Sequence, residues 1–596
     1  QGAFQLLRKD APTWAFRAEE FAHAHLDAAF APFAVNFEDL RKASLGFPRK
    51  VLWIESAERL LEKSTRDAFM DLLGQIVSDP TWRLIVTCRD YSLETVRLAF
   101  FERAGLASQT LAVPLLDDQE LAECEKHIPA LARPLANARL RPFLRNLFVL
   151  DKAARLNWQQ GAVPADEREF RARVWNELVR REDQAAGAMP TKREEAFIQV
   201  ALRRARALEP YIDGGDIDPT VVQALRQDGL VASLPGDDAM LAPAHDVLED
   251  WAIMQWLERQ YGRHRQNLPV FFSAVGTHPA LRRAYRRWLT ELLNSTPATA
   301  DEFAITTIRD SAIPDHWRDD TLVAVLHSAG ACGFLERNRA AWRENNLRLL
   351  RRIVHLLRVT GKSNPVWFNP GAHLPGTFLT AQGTAWGCLV DIVWQEIAHF
   401  QRDDREFLTA FLEDWSSAVS AWIPYPAGFS AAAKLCLHLL PQDEDGWRYA
   451  RQDGWMERLA KVLLKVPRGA EAELIALVRR LLPTAGWDRW NVSLPELAID
   501  FLHGHVFCRD LPAMAIECAE TWLKYEPDSH DPWRGREQIE EAFGLPARLN
   551  FGAYPASAWR GPFLSLLRTN PELGVKFVLD FLNRAVSDYA NPEKLR

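Results

Sequence analysis

Apolar positions near the amino terminus fall into two kinds of run. Val51 to Glu55 (VLWIE), led in by Arg49 and Lys50, is almost continuously apolar, the pattern of a strand buried on both faces. In the residues that follow, Leu60, Leu61, Phe69, Leu72, Leu73 and Ile76 recur at helical spacings, up to the Asp79-Pro80 turn. A second apolar run, WRLIVT, comes next. Strand, helix, turn and strand in that order predict a crossover unit with both strands in one parallel sheet and a right-handed connection. Upstream, Gly2 to Asp10 reads as the end of a helix, and Thr13 to Arg17 as a short strand ahead of an Ala-rich helix from Ala18.

From about Leu116 strand patterns become rare and helical ones dominate, as in DDQELAECEKHI and LRPFLRNLFVLDKAARL. Between Thr191 and Tyr261 a helix, a small hairpin around SLPGDDA and a further helix predict a winged-helix module. From Gly262 onward, helical stretches rich in Leu, Ala, Arg and Trp are broken by Pro/Gly segments near 363 to 378 and 526 to 536. No strict repeat emerges, so the expectation is an irregular helical solenoid. The expected fold class is mainly α with an amino-terminal α/β portion. Its expected parts are a partial nucleotide-binding α/β domain over 1–115, a helical domain over 116–190, a winged helix over 191–261 and a solenoid over 262–596.

Composition narrows the function classes. With 596 residues the chain exceeds one compact core, and 48% hydrophobic with 25% charged residues is the balance of a folded protein. Seventy-two basic against seventy-nine acidic residues give a net charge of -7, which argues against a surface devoted to nucleic-acid phosphates. The seven cysteines are scattered and mostly flanked by apolar residues, the usage expected of reduced thiols in a cytoplasmic protein. No apolar run is long enough to span a bilayer, and the opening QGAFQLLRKD carries no signal-peptide pattern.

In parallel sheets ligands sit beyond the carboxyl ends of the strands. That places Glu55, Ser56 and Glu58 after one strand, and Thr87, Cys88, Arg89 and Asp90 after the next, in position for chemistry. ATP hydrolysis needs a phosphate cradle, a carboxylate near magnesium, a water-orienting group and cations. Glu55 could hold magnesium through water, Glu58 could polarise the attacking water, and Arg89 could report on the terminal phosphate. Spacing alone equally allows Glu55 and Glu58 to favour the next helix's amino end, with Ser56 as its cap and no ligand.

VLWIESAERLLE resembles the Walker B segment of STAND NTPases, the class holding the NB-ARC and NACHT proteins, and WRLIVTCRDYS resembles the strand and arginine that follow it there. LRPFLRNLFVLDKA is similar to the helical-domain motif whose proline approaches the nucleotide base, which maps onto Pro142. LAPAHDVLEDWA resembles the winged-helix motif ending in His-Asp, which maps onto His245 and Asp246. The resemblance implies ATP/ADP and magnesium as cofactors, with the histidine on the β-phosphate of ADP holding the molecule closed. Without it, Asp246 could simply cap a turn and His245 lie on the surface.

Two departures bear on this. Glu55 stands where the family usually has Asp, and the extra methylene disturbs a tightly octahedral magnesium site, which implies slow turnover or tight holding. The Walker A loop is missing: Gly361-Lys362-Ser363 has Leu356 where the first glycine is needed and follows a basic helix, so the loop is expected upstream of residue 1 and this chain alone is expected to be inactive. The implied function is a STAND ATPase switch in bacterial antiviral defence. Its helical half would sense a protein, phage-derived proteins included, and ADP/ATP exchange would drive homo-oligomerisation, with no membrane and no nucleic acid. The alternatives are a non-catalytic helical scaffold with a degenerate ATPase fold, or a DNA-associated transcriptional regulator. His503, His505 and Cys508 in HGHVFC lack a second ligand pair for zinc and read as a turn between helices. The arginines of RRAYRRW (282 to 288) read as a solvated face around buried Tyr285 and Trp288.

Overall fold

The computed structural model describes residues 2–61, 65–88, 92–111, 113, 115–158, 162–182, 188–234, 237–363, 379–419, 424–440, 455–481, 505–524 and 562–589. The described residues divide into two compact units, the first up to Ser328 and the second from Ala329 onward. The protein is mainly helical, with a small parallel sheet near its amino terminus.

That sheet has three strands in the order β1 (Thr13–Arg17), β2 (Lys50–Glu55) and β3 (Trp82–Val86), all parallel. β2 is central, and Val51, Leu52 and Ile54 are buried, as the continuous apolar run requires. The helix Asp67–Ser78 sends Phe69, Leu72, Leu73 and Ile76 into the core beneath it. Phe16, Phe21 and Phe30 meet edge to face in the same core, at centroid distances of 5.3 to 6.1 Å. The helix expected from Ala18 is instead a 3-10 turn (Ala18–Phe21) followed after a break by Leu26–Phe30. Glu19 and Phe21 must both turn inward there, and one continuous α-helix would place them on diverging faces.

The turn before β3 is a compact polar device. Asp79 Oδ1 accepts from the Thr81 amide (3.0 Å) and hydroxyl (2.6 Å), while Lys50 Nζ lies 3.3 Å from Asp79 Oδ2. Those Thr81 hydrogen bonds, aided by Lys50, hold the Asp79 carboxyl down at about 2. A depressed carboxyl contributes stability that is present above its unfolded value and lost as pH falls through its folded one. Acid unfolding should therefore lose this contribution between about pH 4 and pH 2. Asp79→Asn should flatten that part of the curve while lowering neutral-pH stability; an unchanged acid limb would sink this assignment.

After β3 come the helices Asp118–His127, Arg141–Leu144, Leu147–Ala154 and Glu167–Val174. A second small sheet follows, antiparallel in the order β4 (Ile212–Asp213), β6 (Asp237–Pro243), β5 (Val231–Leu234). It is framed by the helices Met189–Ala207, Pro219–Gln227 and Asp246–His264. The hairpin predicted around SLPGDDA is thus the β5–β6 pair. Four further helices between Leu268 and Leu326 complete the first unit around an aromatic core of Phe271, Phe272, Tyr285, Trp288, Phe303 and Trp317.

Among the described residues the second unit is helical, apart from a two-residue pairing of Lys362–Ser363 with Thr380–Ala381. Its helices, among them Arg339–Thr360, Ala385–Gln395, Arg405–Ser416, Phe429–Leu439 and Trp455–Leu464, pack chiefly on neighbours close in sequence. The Arg339–Thr360 helix is interrupted at Glu344 to Leu347, where Asn345, Asn346 and Leu347 take positive φ. The Pro/Gly breaks at 364–378 and 526–536 lie outside the described residues. Among the described residues no helix is long and apolar enough to cross a membrane.

Candidate functional site

The carboxyl ends of β2 and β3 are joined by backbone. Ser56 N donates to Thr87 Oγ1 (3.1 Å), Ala57 N to Thr87 O (2.9 Å) and Thr87 N to Ile54 O (2.9 Å). This clamp holds Ser56 in the left-handed region at φ 60, a conformation that costs a non-glycine residue of order 1 kcal/mol and persists only where surrounding structure enforces it. The chain turns sharply there, leaving Glu55 exposed at the strand end and burying Glu58 and Arg59 in the next helix, Glu58–Leu61.

Against this corner stands the amino end of the Asp246–His264 helix. His245 is its cap: Nδ1 accepts from the Val247 amide at 3.1 Å. Asp246 reaches Arg59 Nη2 at 3.1 Å and accepts from Ser56 Oγ at 3.5 Å. One turn on, fully buried Glu249 lies 3.6 Å from Arg59 Nη2 and is held by Arg204 Nη1, which also lies 3.5 Å from Asp246. Arg204 Nη2 donates to Glu19 Oε1 at 2.9 Å, and its Nε donates to Pro210 O at 3.2 Å. Five ionic side chains thus converge from four elements: Glu19 after β1, Arg59 after β2, Arg204 on Met189–Ala207, and Asp246 with Glu249 on Asp246–His264.

Glu19, Arg59 and Arg204 are each 5% exposed or less, so their charges meet at low dielectric, where leaving one unpaired is costly. Burial pushes the Glu249 carboxyl above its usual range, against the opposing pull of Arg204 and Arg59. Three carboxylates face two guanidiniums, and the neighbouring charge of Asp246 adds a smaller upward push on Glu249 to that of burial.

The third contributor is the helix Leu147–Ala154, whose cap Asn146 accepts from the amides of Phe148 (3.0 Å) and Val149 (3.3 Å). Capped this way, the helix lays the Phe148 ring flat on His245, with centroids 3.8 Å apart and planes 20° from parallel. Phe148 also meets the Trp251 edge at 6.3 Å. Pro142, singled out by sequence, is exposed on the preceding short helix Arg141–Leu144. No protein-family model and no curated protein matches the chain.

The placement of the expected site residues is therefore uneven. Asp246 meets Ser56 and Arg59, which follow Glu55, and His245 stacks on the helix after the one that carries Pro142. Arg89 lies outside the described residues. Glu58 is buried, 8% exposed, rather than facing open solvent. Sequence reading missed Glu19, Arg59, Arg204, Glu249 and Phe148. A signal existed for two of them: Arg204 falls among buried Phe197, Val200, Ala201 and Ala205, and Glu249 among buried Leu248, Ala252 and Ile253. A charge on an otherwise apolar helix face calls for a buried partner.

The remaining candidates are structural. Arg282 lies on Asp320 (2.5 Å), Arg283 on Asp250 (3.1 Å) and Arg287 on Glu167 (2.9 Å), so the RRAYRRW arginines tie helices together rather than forming a fully solvated face. Lys362 of the Gly-Lys-Ser triplet sits in its short strand with Nζ 3.1 Å from Asp414, which is no phosphate loop. His505 to Asp510 is helical rather than a turn, and burial pushes the Cys508 thiol up to about 12. His503 lies outside the described residues. Among those residues, no group of three or more His, Cys, Asp or Glu could hold a metal.

Proposed function

We propose that the protein is a nucleotide-dependent signalling switch of the STAND type, with β1 to β3 as part of its nucleotide-binding sheet and the β4–β6 region with its flanking helices as the winged helix. The observation that carries this reading is the seat of Asp246 on Ser56 and Arg59, directly after the strand that ends in Glu55. A switch needs its mobile module to touch the nucleotide-sensing strand end in one state and leave it in another. The ionic cluster is suited to that, because buried charges that roughly offset their desolvation when fully paired become strongly unfavourable when partly separated, which makes docking all-or-none.

The residues fit a nucleotide in part. Glu55 is one exposed carboxylate at a strand end, enough for a water-mediated magnesium contact, since magnesium takes one or two carboxylates beside the phosphates. With Nδ1 accepting from Val247, the neutral His245 ring carries its proton on Nε2, the donor suited to a phosphate oxygen. Phe148 fixes the plane of that ring. In this reading the helical region beyond residue 262 senses a protein partner in antiviral defence, and exchange of ADP for ATP releases the winged helix for homo-oligomerisation.

Protein isolated from its native source should carry ADP, and His245→Ala should lose most of it, since an imidazole donor to phosphate is a charge-assisted bond worth about 1.5 to 3 kcal/mol, roughly ten- to hundredfold in affinity. Phe148→Ala should weaken retention less, by freeing the ring. Liquid chromatography of the denatured protein reads both. Native protein devoid of nucleotide that also fails to bind or hydrolyse ATP favours the second reading, a non-catalytic helical scaffold. That reading draws on the same buried cluster, which can hold the modules together with no ligand.

A further inference from the structure

A cleft of about 330 Å³ opens in the first unit, bordered by Glu19 of the ionic cluster, between the turn after β1 and the β5–β6 hairpin. Its walls are apolar and aromatic: Phe33 on one side, Pro210 and Tyr211 on the other, and Met240 from β6. Three carboxylates line it: Glu209 exposed at the rim, Glu20 half-buried, and Glu19, which the ionic cluster already holds. Glu20 Oε2 is enclosed by protein and makes no hydrogen bond within the chain. A buried carboxylate oxygen without a donor costs roughly 1 to 3 kcal/mol or more, so Oε2 is an acceptor without its partner, while the Arg17 backbone amide favours the same carboxylate.

The charges around Glu20 are known from each neighbouring element. Arg17 of β1 lies beside it but is engaged elsewhere, stacked 4.9 Å over the Tyr211 ring and donating to Pro210 O at 3.4 Å. Glu19 is held by Arg204 and Arg59 in the ionic cluster, Glu55 comes from β2, and His23 and Glu209 stand at the cleft. Burial raises the Glu20 carboxyl to about 7, against Arg17 and with help from Glu19 and Glu55.

From the enclosed oxygen, the aromatic walls and the acidic rim, we propose that this cleft binds an organic cation, an ammonium or guanidinium group on a short aliphatic stem of the size of a lysine or arginine side chain. The cationic head donates to Glu20 and Glu209, and the stem lies between Phe33, Pro210, Tyr211 and Met240, the arrangement that amphipathic cations favour. A neutral alcohol of the same length supplies the stem without the charge and leaves Glu20 unpaired. Because Met240 and Tyr211 belong to the β4–β6 region while Glu20 and Phe33 belong to the β1–β3 region, an occupied cleft ties the two regions together. The cation requires the Glu20 carboxylate, so binding releases a proton near neutral pH.

The test is calorimetric titration of the chain at pH 6 and pH 8 with cadaverine, with the peptide acetyl-Gly-Lys-Gly-amide, and with pentan-1-ol as the neutral control. Cadaverine should bind about tenfold more tightly at pH 8 than at pH 6, as a group titrating near 7 dictates. Glu20→Gln should remove that pH dependence and weaken binding at pH 8 by about tenfold or more. Glu209→Gln, at the exposed rim and harmless to folding, should weaken it by a factor of about two to five. Tighter binding of the peptide identifies a protein side chain as the source of the cation, and tighter binding of cadaverine a free amine. Equal binding of pentan-1-ol, no saturation by either cation, or wild-type affinity in both variants overturns the proposal. No nucleotide enters the experiment, so its outcome is separate from that of the switch reading.

Discussion

Arg204→Ala should detach the Asp246–His264 helix from the sheet. The substitution removes one of two guanidiniums from a buried site and leaves Glu19, Asp246 and Glu249 facing Arg59 alone. Removing one partner from a buried ionic group costs about 3 to 5 kcal/mol, because the remaining charge stays desolvated without compensation. At 1.36 kcal/mol per decade, amide protection across Val247 to Met254 should fall by roughly two to three and a half orders of magnitude. Hydrogen exchange suits this better than a melting curve, since a chain of two compact units does not unfold in one step. Arg204→Met combined with Glu249→Leu should recover much of the loss, since it removes a positive and a negative charge together and fills the space with apolar atoms. Single and double variants losing protection equally would mean that packing, not charge, holds the helix.

The second large effect belongs to the other unit. Gly387, on Ala385–Gln395, packs against the turn that opens the Phe429–Leu439 helix so closely that a Cβ there would lie 2.5 Å from both Ala427 O and Ala427 Cβ. Across the same contact Gly428 sits at φ 83, and its own Cβ would come within 2.7 Å of Gly387 O. Alanine at 387 should gain up to about 1 kcal/mol of helix propensity and lose more to the clash, because the obstacle is backbone and cannot rotate away. Gly387→Val should cost about 3 kcal/mol or more and drive the two helices apart. Proteolysis near 424–428 should accelerate in that variant while the first unit keeps its exchange pattern. Resistance equal to wild type would contradict the close approach.

The parts of this fold that sequence made legible share a cause. β2 announced itself because a central parallel strand must be apolar on both faces, β3 because a short apolar run follows the Asp79-Pro80 turn, and the β5–β6 hairpin because a turn of Pro, Gly and Asp separates two short apolar runs. The candidate site was legible only where a local motif carried it, at Glu55, His245 and Asp246. Its ionic cluster was not, because Glu19 and Arg204 are 185 residues apart in the chain and nothing local pairs them. Glu58 reads in the sequence either as a water-polarising group or as a helix-start charge and Arg59 carries no local signal, yet the left-handed turn at Ser56 rotates both into the interior. Phe148 was hidden for another reason: its place in the first turn of an apolar helix gives no local sign that the ring reaches His245, far along the chain, rather than the helix's own core.

The most direct test of the switch is hydrogen exchange on protein from its native source, loaded in turn with ADP and with a non-hydrolysable ATP analogue. The account predicts that amides of Ser56 to Arg59 and Val247 to Glu249 exchange slowly with ADP and at least about tenfold faster with the analogue, a coupling of the usual 1 to 3 kcal/mol. Identical protection of both segments under the two nucleotides would contradict it.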